Sequence, residues 1–189
     1  MSVEVWAALA QLGTFIVITA TAAAALIQLR HLRAANNMAA ASMFIQEFEG
    51  SELRDAFSFV RTQLKQRLED PDFREELRDF TQDRLKHPEI AVCNFFDLWG
   101  GHYREQAINR TWFMRHNAGV VLGFWKMLGP VVALASSRGG ANTSFEQFEY
   151  LAVKAQDWVA AHPAGDYPAG VRRLSLTDPW KDIDGNAKA

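Results

Sequence analysis

An apolar segment near the start of the chain is long enough to cross a membrane. Between Glu4 and Arg30 lie 25 residues without a formal charge, of which ten are Leu, Ile, Val or Phe and eight are Ala. As a helix rising about 1.5 Å per residue, this segment would extend over roughly 37 Å, whereas the hydrocarbon core of a bilayer is about 30 Å thick. The pattern predicts a transmembrane anchor over residues 1–33.

Three alternatives to a membrane anchor were considered for the same segment. A cleaved signal peptide would use Ala20-Thr21-Ala22 as its small-residue site, but Glu4 stands where the positive charge should precede the apolar core. An amphipathic helix in the membrane interface needs a strong polar face, which this segment lacks. A helix buried in a soluble core is the third structure, and 25 uncharged residues are long for it. A retained membrane helix is therefore the favoured prediction.

The charges that flank the segment predict its orientation. Arg30, His31 and Arg33 follow the apolar residues, and only Glu4 precedes them. Because positively charged flanks stay on the cytoplasmic side, the rest of the chain is predicted in the cytoplasm of a bacterium, below its inner membrane. The single Cys93 suits a reducing compartment. We therefore expect a single-pass protein with a cytoplasmic C-terminal domain.

Small side chains recur on the predicted membrane helix at four-residue spacing. Ala20 pairs in this way with Ala24, and Thr21 with Ala25. Small residues four apart let two helix backbones approach closely in lipid. The expected partners are the lipid bilayer and either another membrane protein or other copies of this chain. The alternative is a lone, Ala-rich anchor.

Beyond the anchor, apolar residues recur at spacings of three and four, which predicts an all-α fold. The Ala-rich residues after Arg33 predict a stalk that continues the membrane helix to Glu49. Since no segment alternates with period two, no sheet is expected. The prediction is a bundle of about four to five helices over residues 34–162 and an irregular tail over 163–189. The predicted helix starts are Ser51 and Asp70, both as N-caps, then Pro88, Thr111 and Ser144.

Aromatic and large aliphatic residues mark the predicted core of this bundle. Packing in the core is favoured over a ligand pocket, because aromatic side chains supply the largest buried area per residue. Residues 118–135 carry one charge, Lys126, and are also considered as a second membrane pass. Gly123, Gly129 and Pro130 favour a buried core helix instead. The predicted core residues are Phe95, Phe96, Trp99, Trp125, Phe148 and Leu151.

Composition and charge narrow the classes of function. The chain has 20 Lys and Arg against 22 Asp and Glu, so it lacks the basic footprint that nucleic-acid binding requires. One cysteine excludes a disulfide framework and a Cys-rich zinc module. Residues 93–140 hold five basic and two acidic groups. This local excess either faces anionic lipid headgroups or is scattered by folding.

A search for catalytic motifs finds none. The best metal candidate combines Asp97, His102 and Glu105, whose spacing brings them near one another on a helix. A surface without a bound metal is the favoured alternative. Gly139-Gly140 lacks the Lys-Ser or Lys-Thr of a P-loop. The sequence thus predicts no enzyme, no cofactor and no metal.

Several short motifs, taken in order, resemble a known family. They are Asn94-Phe95-Phe96-Asp97, then Ile108-Asn109, then Trp125 with Pro130, then Phe148-Glu149-Tyr150-Leu151-Ala152, after a helix ending Gln28-Leu29-Arg30-His31-Leu32-Arg33. This order resembles the bacterial domain-of-unknown-function family 4760, from about Ala25 to Trp158. Asp97 stands where that family is expected to have Glu, and Asn109 where it is expected to have Asp. The resemblance implies an anchor and an α-helical cytoplasmic domain, and no reaction.

These observations favour an interaction protein over an enzyme. The predicted function is an accessory subunit or scaffold of a larger bacterial membrane complex. One alternative is an effector that oligomerises and perturbs the membrane on a signal. Another is a metal-dependent enzyme built on Asp97, His102 and Glu105.

Overall fold

The computed structural model describes residues 2–78, 86–137 and 144–180, and these residues form an all-α fold. No strand is present in the described part of the chain, as the hydrophobic spacing predicted. The helices are α1 (Val3–Phe48), α2 (Ser51–Thr62), α3 (Leu64–Arg67), α4 (Pro71–Arg78), α5 (Pro88–Arg104), α6 (Arg110–Ser136) and α7 (Glu146–Ala161).

Helix α1 is one continuous helix of 46 residues, so the apolar segment and the predicted stalk form a single rod. Ala is the best helix former, which accounts for the absence of a break in this long segment. No side chain described from Ser2 to Asn36 is buried. Only the last three turns of α1 contact the other helices, along one face. That face consists of Asn37, Ala40, Ala41, Phe44 and Phe48.

The region after α1 departs from the prediction in two details. The N-cap of α2 is Gly50, and Ser51 is already the first helical residue. The amphipathic pattern from Leu53 to Leu68 does not form one helix, because Gln63 adopts a φ of −122° and separates α2 from the short α3. Apolar periodicity continues across this kink, so the sequence pattern alone does not reveal it.

Helix α4 begins as predicted. Pro71 is its first residue, and the backbone N–H of Asp72 donates to Asp70 Oδ1 at 3.0 Å. Phe80 and Leu85, whose spacing continues the apolar pattern of Phe73 and Leu77, lie outside the described residues.

Helices α5, α6 and α7 form the centre of the bundle. Gly100 does not interrupt α5 but permits a close approach, since a Cβ there would lie 2.1 Å from the backbone oxygen of Gln147 on α7. Asn109 caps α6 by accepting from the Trp112 backbone N–H at 2.9 Å. Helix α7 begins at Glu146 after Phe145 in the left-handed region, two residues later than predicted from Ser144.

The core is built largely from aromatic rings, and even the short α3 contributes to it, with Leu64 buried in the core and Arg67 over the ring of Phe73. Phe96 stacks on Phe148 with a centroid distance of 5.0 Å and lies 5.4 Å from Phe124. Of the residues assigned to the core from the sequence, Trp125 is half-buried and packs edge-on against Phe148. The others are buried, namely Phe95, Phe96, Trp99, Phe148 and Leu151.

The tail from His162 to Trp180 has no helix or strand. Leu174, Leu176 and Trp180 are exposed, so these apolar side chains do not dock on the bundle. One ion pair, between Arg115 of α6 and Asp166, connects the tail to the bundle.

Candidate functional site

The exposed surface of α1 is the most distinctive surface of the molecule. Large apolar side chains project from it on every side, including Phe15, which is 67% exposed, and Leu26, which is 64% exposed. Burying such side chains stabilises a protein by roughly 1.5–3 kcal/mol each, so an isolated rod of this kind is unfavourable in water. The candidate functional site is therefore α1 together with the end of the bundle that it enters.

The threonine hydroxyls in the apolar part of α1 have hydrogen-bond partners within the helix. The hydroxyls of Thr14, Thr19 and Thr21 each donate to the backbone carbonyl four residues earlier, at 2.8–2.9 Å. In a medium without water, every polar group needs an internal partner of this kind. The small-residue positions Ala20, Thr21, Ala24 and Ala25 all lie exposed on this part of α1. Its threonines therefore present methyl groups rather than hydroxyls.

Two helices, α1 and α6, are long and apolar enough to cross a membrane by length and composition. The core helix of a soluble protein and a signal sequence pass the same test. Helix α6 exposes none of its large apolar side chains, whereas α1 exposes nearly all of them. Residues 118–135 thus form a helix of the bundle core, as the glycines and Pro130 indicated.

Arg30, His31 and Arg33 lie on α1 directly after the apolar residues, and all three are exposed. The helix does not break at these residues, and α1 continues for fifteen residues beyond Arg33. These three basic residues therefore lie between the apolar part of α1 and its first half-buried residue, Asn37.

Polar and aromatic contacts join the end of α1 to the bundle. Phe44 packs against Trp99 and Phe113, each with a ring-centroid distance of 5.1 Å. The indole N–H of Trp99 donates to Glu47 Oε2 at 2.9 Å. Sequence reasoning did not identify Glu47 or Phe44 as junction residues, since partners 52 positions apart leave no local signal.

A buried carboxylate–imidazole group lies at the start of α5 and was also missed. His87 and Glu89 are almost completely buried, with His87 Nδ1 2.8 Å from Glu89 Oε1 and Nε2 3.2 Å from Glu76 Oε2. Burial raises the pKa of Glu89, although His87 and Arg67 oppose the shift. A glutamate directly after a helix-opening proline is usually a solvent-exposed, dipole-stabilising residue, which is why its burial could not be anticipated.

This geometry sets the number of protons that the side chains of His87, Glu89 and Glu76 share. Carboxylates only accept hydrogen bonds, and a neutral imidazole donates from one nitrogen only. Both contacts of His87 are hydrogen bonds only if the three side chains hold two protons. Either both ring nitrogens are protonated, or the ring holds one proton and one of the two glutamates holds the other.

The residues considered for a metal site have other roles. Asp97 Oδ1 accepts from the backbone N–H groups of Gln147 and Phe148 at 3.0 and 3.1 Å, and so fixes the start of α7. The ring of His102 packs on Trp99 at 5.0 Å. Within the residues that the structure describes, no group of three His, Cys, Asp or Glu side chains could hold a metal ion. Gly139-Gly140 lies outside them.

Cys93 is fully buried, and desolvation raises the pKa of its thiol. Because the thiolate is the reactive form, this cysteine is unsuited to act as a nucleophile. It packs as a small apolar residue of the core within α5.

An open groove lies at the corner between α1 and α2. It has a volume of about 510 Å³, with Phe48 and Phe57 beside Arg54 and Arg61. Arg54 donates to the carbonyl of Glu49, and Arg61 lies over the ring of Phe124. Both arginines therefore support the helix corner, and the groove contains no nucleophile paired with a base.

Comparison with known protein families matches residues 15–155 to Domain of unknown function (DUF4760). The chain belongs to this family. The match begins within α1 and ends within α7, so the DUF4760 region includes the apolar rod, the basic residues after it and the bundle. No curated protein and no solved structure shows significant similarity to the chain.

The two positions at which this DUF4760 member was expected to differ from its family are both helix caps. Asp97 caps α7 through two backbone N–H groups, and Asn109 caps α6 through one. A capping oxygen stabilises a helix start whether it belongs to a carboxylate or to a side-chain amide. The observed contacts therefore give both residues a structural role.

Proposed function

We propose that this DUF4760 member is a non-enzymatic, membrane-anchored interaction protein. Helix α1 crosses the inner membrane of a bacterium once, with the bundle in the cytoplasm. The protein acts as an accessory subunit or scaffold of a larger membrane complex. One observation carries the proposal, namely that the first 34 residues of a 46-residue helix display apolar side chains that nothing in the described part of the chain covers.

The charges on either side of the apolar part of α1 support the proposed orientation in the membrane. Arg30 and Arg33 lie at the end of the rod that leads into the bundle, and Glu4 lies at the other end. Each basic residue near a membrane end favours the cytoplasmic side.

The surface of α1 also supports a protein partner within the membrane. Ala20 and Ala24 lie one turn apart and offer almost no side chain beyond Cβ. Helices associate in lipid through close van der Waals packing rather than through the hydrophobic effect, so a small-residue face is a favourable contact. Phe44 and Glu47 connect α1 to Trp99 of the bundle, so a partner helix bound to α1 would also be positioned relative to the bundle.

The test is extraction of the full chain from native membranes in mild detergent, followed by a native gel and mass spectrometry of the band. Other membrane proteins at a fixed ratio are the expected result. A band that contains only copies of this chain would instead support an oligomerising effector. A monomer would contradict both.

Two matched variants locate the contact on α1. Ala20→Leu combined with Ala24→Leu enlarges the small-residue face, and we expect it to break up the complex. Ala22→Leu adds the same side chain on the opposite face, because two residues beyond Ala20 turn by about 200°. An unchanged complex in the first variant would show that another face of α1, or the bundle, makes the contact.

A further inference from the structure

A chain of hydrogen bonds leads from the surface of α4 to a carboxylate in the core of the bundle. The side chain of Glu76 on α4 is 51% exposed, whereas those of His87 and Glu89 are 2% and 0% exposed. Glu76 Oε2 lies 3.2 Å from His87 Nε2, and Glu89 Oε1 lies 2.8 Å from His87 Nδ1. The imidazole ring therefore connects a carboxylate that water reaches to one that water does not reach.

The same ring attaches α4 to the start of α5, where His87 is the N-cap residue. The ring packs on Phe73 of α4 with a centroid distance of 4.9 Å, and Phe73 precedes Glu76 by about one helical turn. Within the described residues, the contact between Glu76 and His87 is the hydrogen bond that joins α4 to this segment. The attachment of α4 therefore depends on the protons that His87 and the two glutamates share.

The loss of one proton from these side chains breaks one of the two contacts of His87. With two protons shared among Glu76, His87 and Glu89, both contacts are hydrogen bonds. When one proton leaves, the other stays on the ring, because a neutral imidazole holds one N–H and a carboxylate only accepts. The second ring nitrogen then presents a lone pair to a carboxylate oxygen, so this contact is no longer a hydrogen bond.

Burial decides which of the two contacts is lost. Glu89 lies in the core, and its Oε2 has no hydrogen-bond partner among the described residues, so the charged form of Glu89 depends on the N–H of His87 Nδ1. A buried charge without a partner costs far more free energy than a charge in water. Glu76 is exposed, and water replaces its partner. The remaining proton therefore stays on Nδ1, and the contact between Nε2 and Glu76 breaks.

Two other ionisable groups face these three side chains from the described residues. Arg67 of α3 favours the charged form of Glu89 and itself remains charged. Cys93 lies one turn beyond Glu89 on α5, and desolvation raises the pKa of its thiol, which stays neutral. Helix α6 also packs against α4. The other charged side chains of α4 and of α6 after His116 are exposed or have partners of their own, namely Asp72, Arg74, Glu75, Arg78 and Lys126.

From this geometry we propose that Glu76, His87 and Glu89 form a proton-dependent clasp between α4 and the start of α5. At lower pH the three side chains hold two protons and Glu76 binds His87. As the pH rises, one proton leaves, Nδ1 keeps the other, and α4 loses its hydrogen bond to His87. Additional protons in acid do not open the clasp, because a protonated carboxyl group still accepts through its second oxygen. The clasp lies within the bundle and does not require α1 to cross a membrane.

Hydrogen–deuterium exchange of the full chain in detergent tests the clasp. The measured quantity is the protection of the backbone amides of residues 71–78 between pH 5 and pH 9, corrected for the intrinsic exchange rate at each pH. We expect this protection to fall by about tenfold as the pH rises, the change in equilibrium that corresponds to one hydrogen bond to a charged group.

Glu76→Gln should hold the clasp closed at every pH. A glutamine amide donates to an unprotonated Nε2 and accepts from a protonated one, so the contact is retained in both states. We therefore expect the protection of α4 to stay constant with pH and to exceed that of the wild type about tenfold at pH 9. The matched control is Asp72→Asn, which removes an exposed carboxylate from the same helix and should follow the wild type.

The protonation of the ring provides a second measurement, which does not depend on the stability of α4. Nitrogen NMR of the chain labelled at histidine distinguishes Nδ1 from Nε2, and the signals of His87 are those that Glu76→Gln shifts and Asp72→Asn does not. At pH 9 we expect the proton of His87 on Nδ1.

Three results would each overturn the clasp. Constant protection of α4 from pH 5 to pH 9 in the wild type would show that proton loss does not loosen this helix. An equal fall in the wild type and in Glu76→Gln would place the titrating group elsewhere in the protein. A proton on Nε2 of His87 at pH 9 would show that Glu89, and not Glu76, loses its contact.

Discussion

Helices α1 and α6 resemble each other in composition and differ in surroundings. Both contain an uncharged or nearly uncharged segment of similar hydropathy. Large side chains project from α1 in all directions, and none of those that the structure describes over its first 34 residues is covered. Hydropathy averaged along a helix therefore does not separate an uncovered apolar helix from a core helix. The distribution of side-chain size around the helix does.

Helix α6 separates its residues by size rather than by polarity. Its buried face carries Phe113, Val121, Phe124, Leu128 and Val131. Its exposed face between residues 119 and 133 is formed by Gly119, Gly123, Lys126, Pro130 and Ala133. A helix of this kind is apolar on average because its solvent side consists of residues with little side chain. The sequence of α1 shows no such separation, because Phe15, Ile16, Val17 and Ile18 are consecutive.

The largest expected effect comes from placing the same charge on each helix. Val121→Arg buries an unpaired charge in the core and should lower the free energy of unfolding by more than about 4 kcal/mol. Val17→Arg, at a position that is 64% exposed, should leave the unfolding of the bundle unchanged. It should instead reduce membrane insertion, at a cost of about 2.5–3.5 kcal/mol. Thermal unfolding in detergent and carbonate extraction measure the two effects, and equal destabilisation by both variants would refute the contrast.

A second prediction concerns the close contact that holds α7 against the other core helices. Gly100→Ala places a Cβ against the Gln147 backbone oxygen and should destabilise the protein by about 2–3 kcal/mol. Gly101→Ala meets no atom within 4 Å and should stabilise α5 by about 0.5–1 kcal/mol. Urea denaturation of the two variants compares them directly. Similar midpoints would show that α5 and α7 do not approach closely at this point.

A third prediction concerns pH, which should change the stability of the bundle and not that of α1. The pKa of Glu89 is raised in the folded protein above its ordinary value of 4.5, so the native state holds this proton more tightly than the unfolded chain does. The resulting stability is complete below about pH 4.5 and is lost as the pH rises through the folded pKa. Its slope reaches at most about 1.4 kcal/mol per pH unit.

Glu89→Gln should remove this part of the pH dependence, while Glu52→Gln, at an exposed position, should leave it intact. Urea midpoints measured at several pH values from 4 to 8 provide the comparison. Identical pH profiles for wild type and Glu89→Gln would mean that the folded and unfolded pKa values of Glu89 do not differ.

The smallest expected effect concerns the junction of α1 with the bundle. Trp99→Phe removes the hydrogen bond to Glu47 while keeping an aromatic ring, and should cost about 1 kcal/mol. Trp180→Phe changes an exposed tryptophan in the tail and should cost nothing measurable. A double-mutant cycle with Glu47→Gln isolates the pair. Purely additive changes would show that the hydrogen bond does not couple α1 to α5.

Local sequence features determined the helices and the uncovered rod. The uncharged residues between Glu4 and Arg30 and the Ala-rich stalk predicted one long helix, and Asp70-Pro71 and Pro88 predicted helix starts. These signals are short-range, because capping and periodicity depend on residues only a few positions apart. Capping and periodicity did not predict the break at Gln63 or the late start of α7.

Only the tertiary structure decided which polar residues are buried and which helices meet. Glu89 and His87 look like solvated helix-end residues in the sequence, and Trp99 gives no sign of its hydrogen bond to Glu47. Contacts between residues some fifty positions apart arise when helices pack, and a periodic pattern contains no information about which helix covers which.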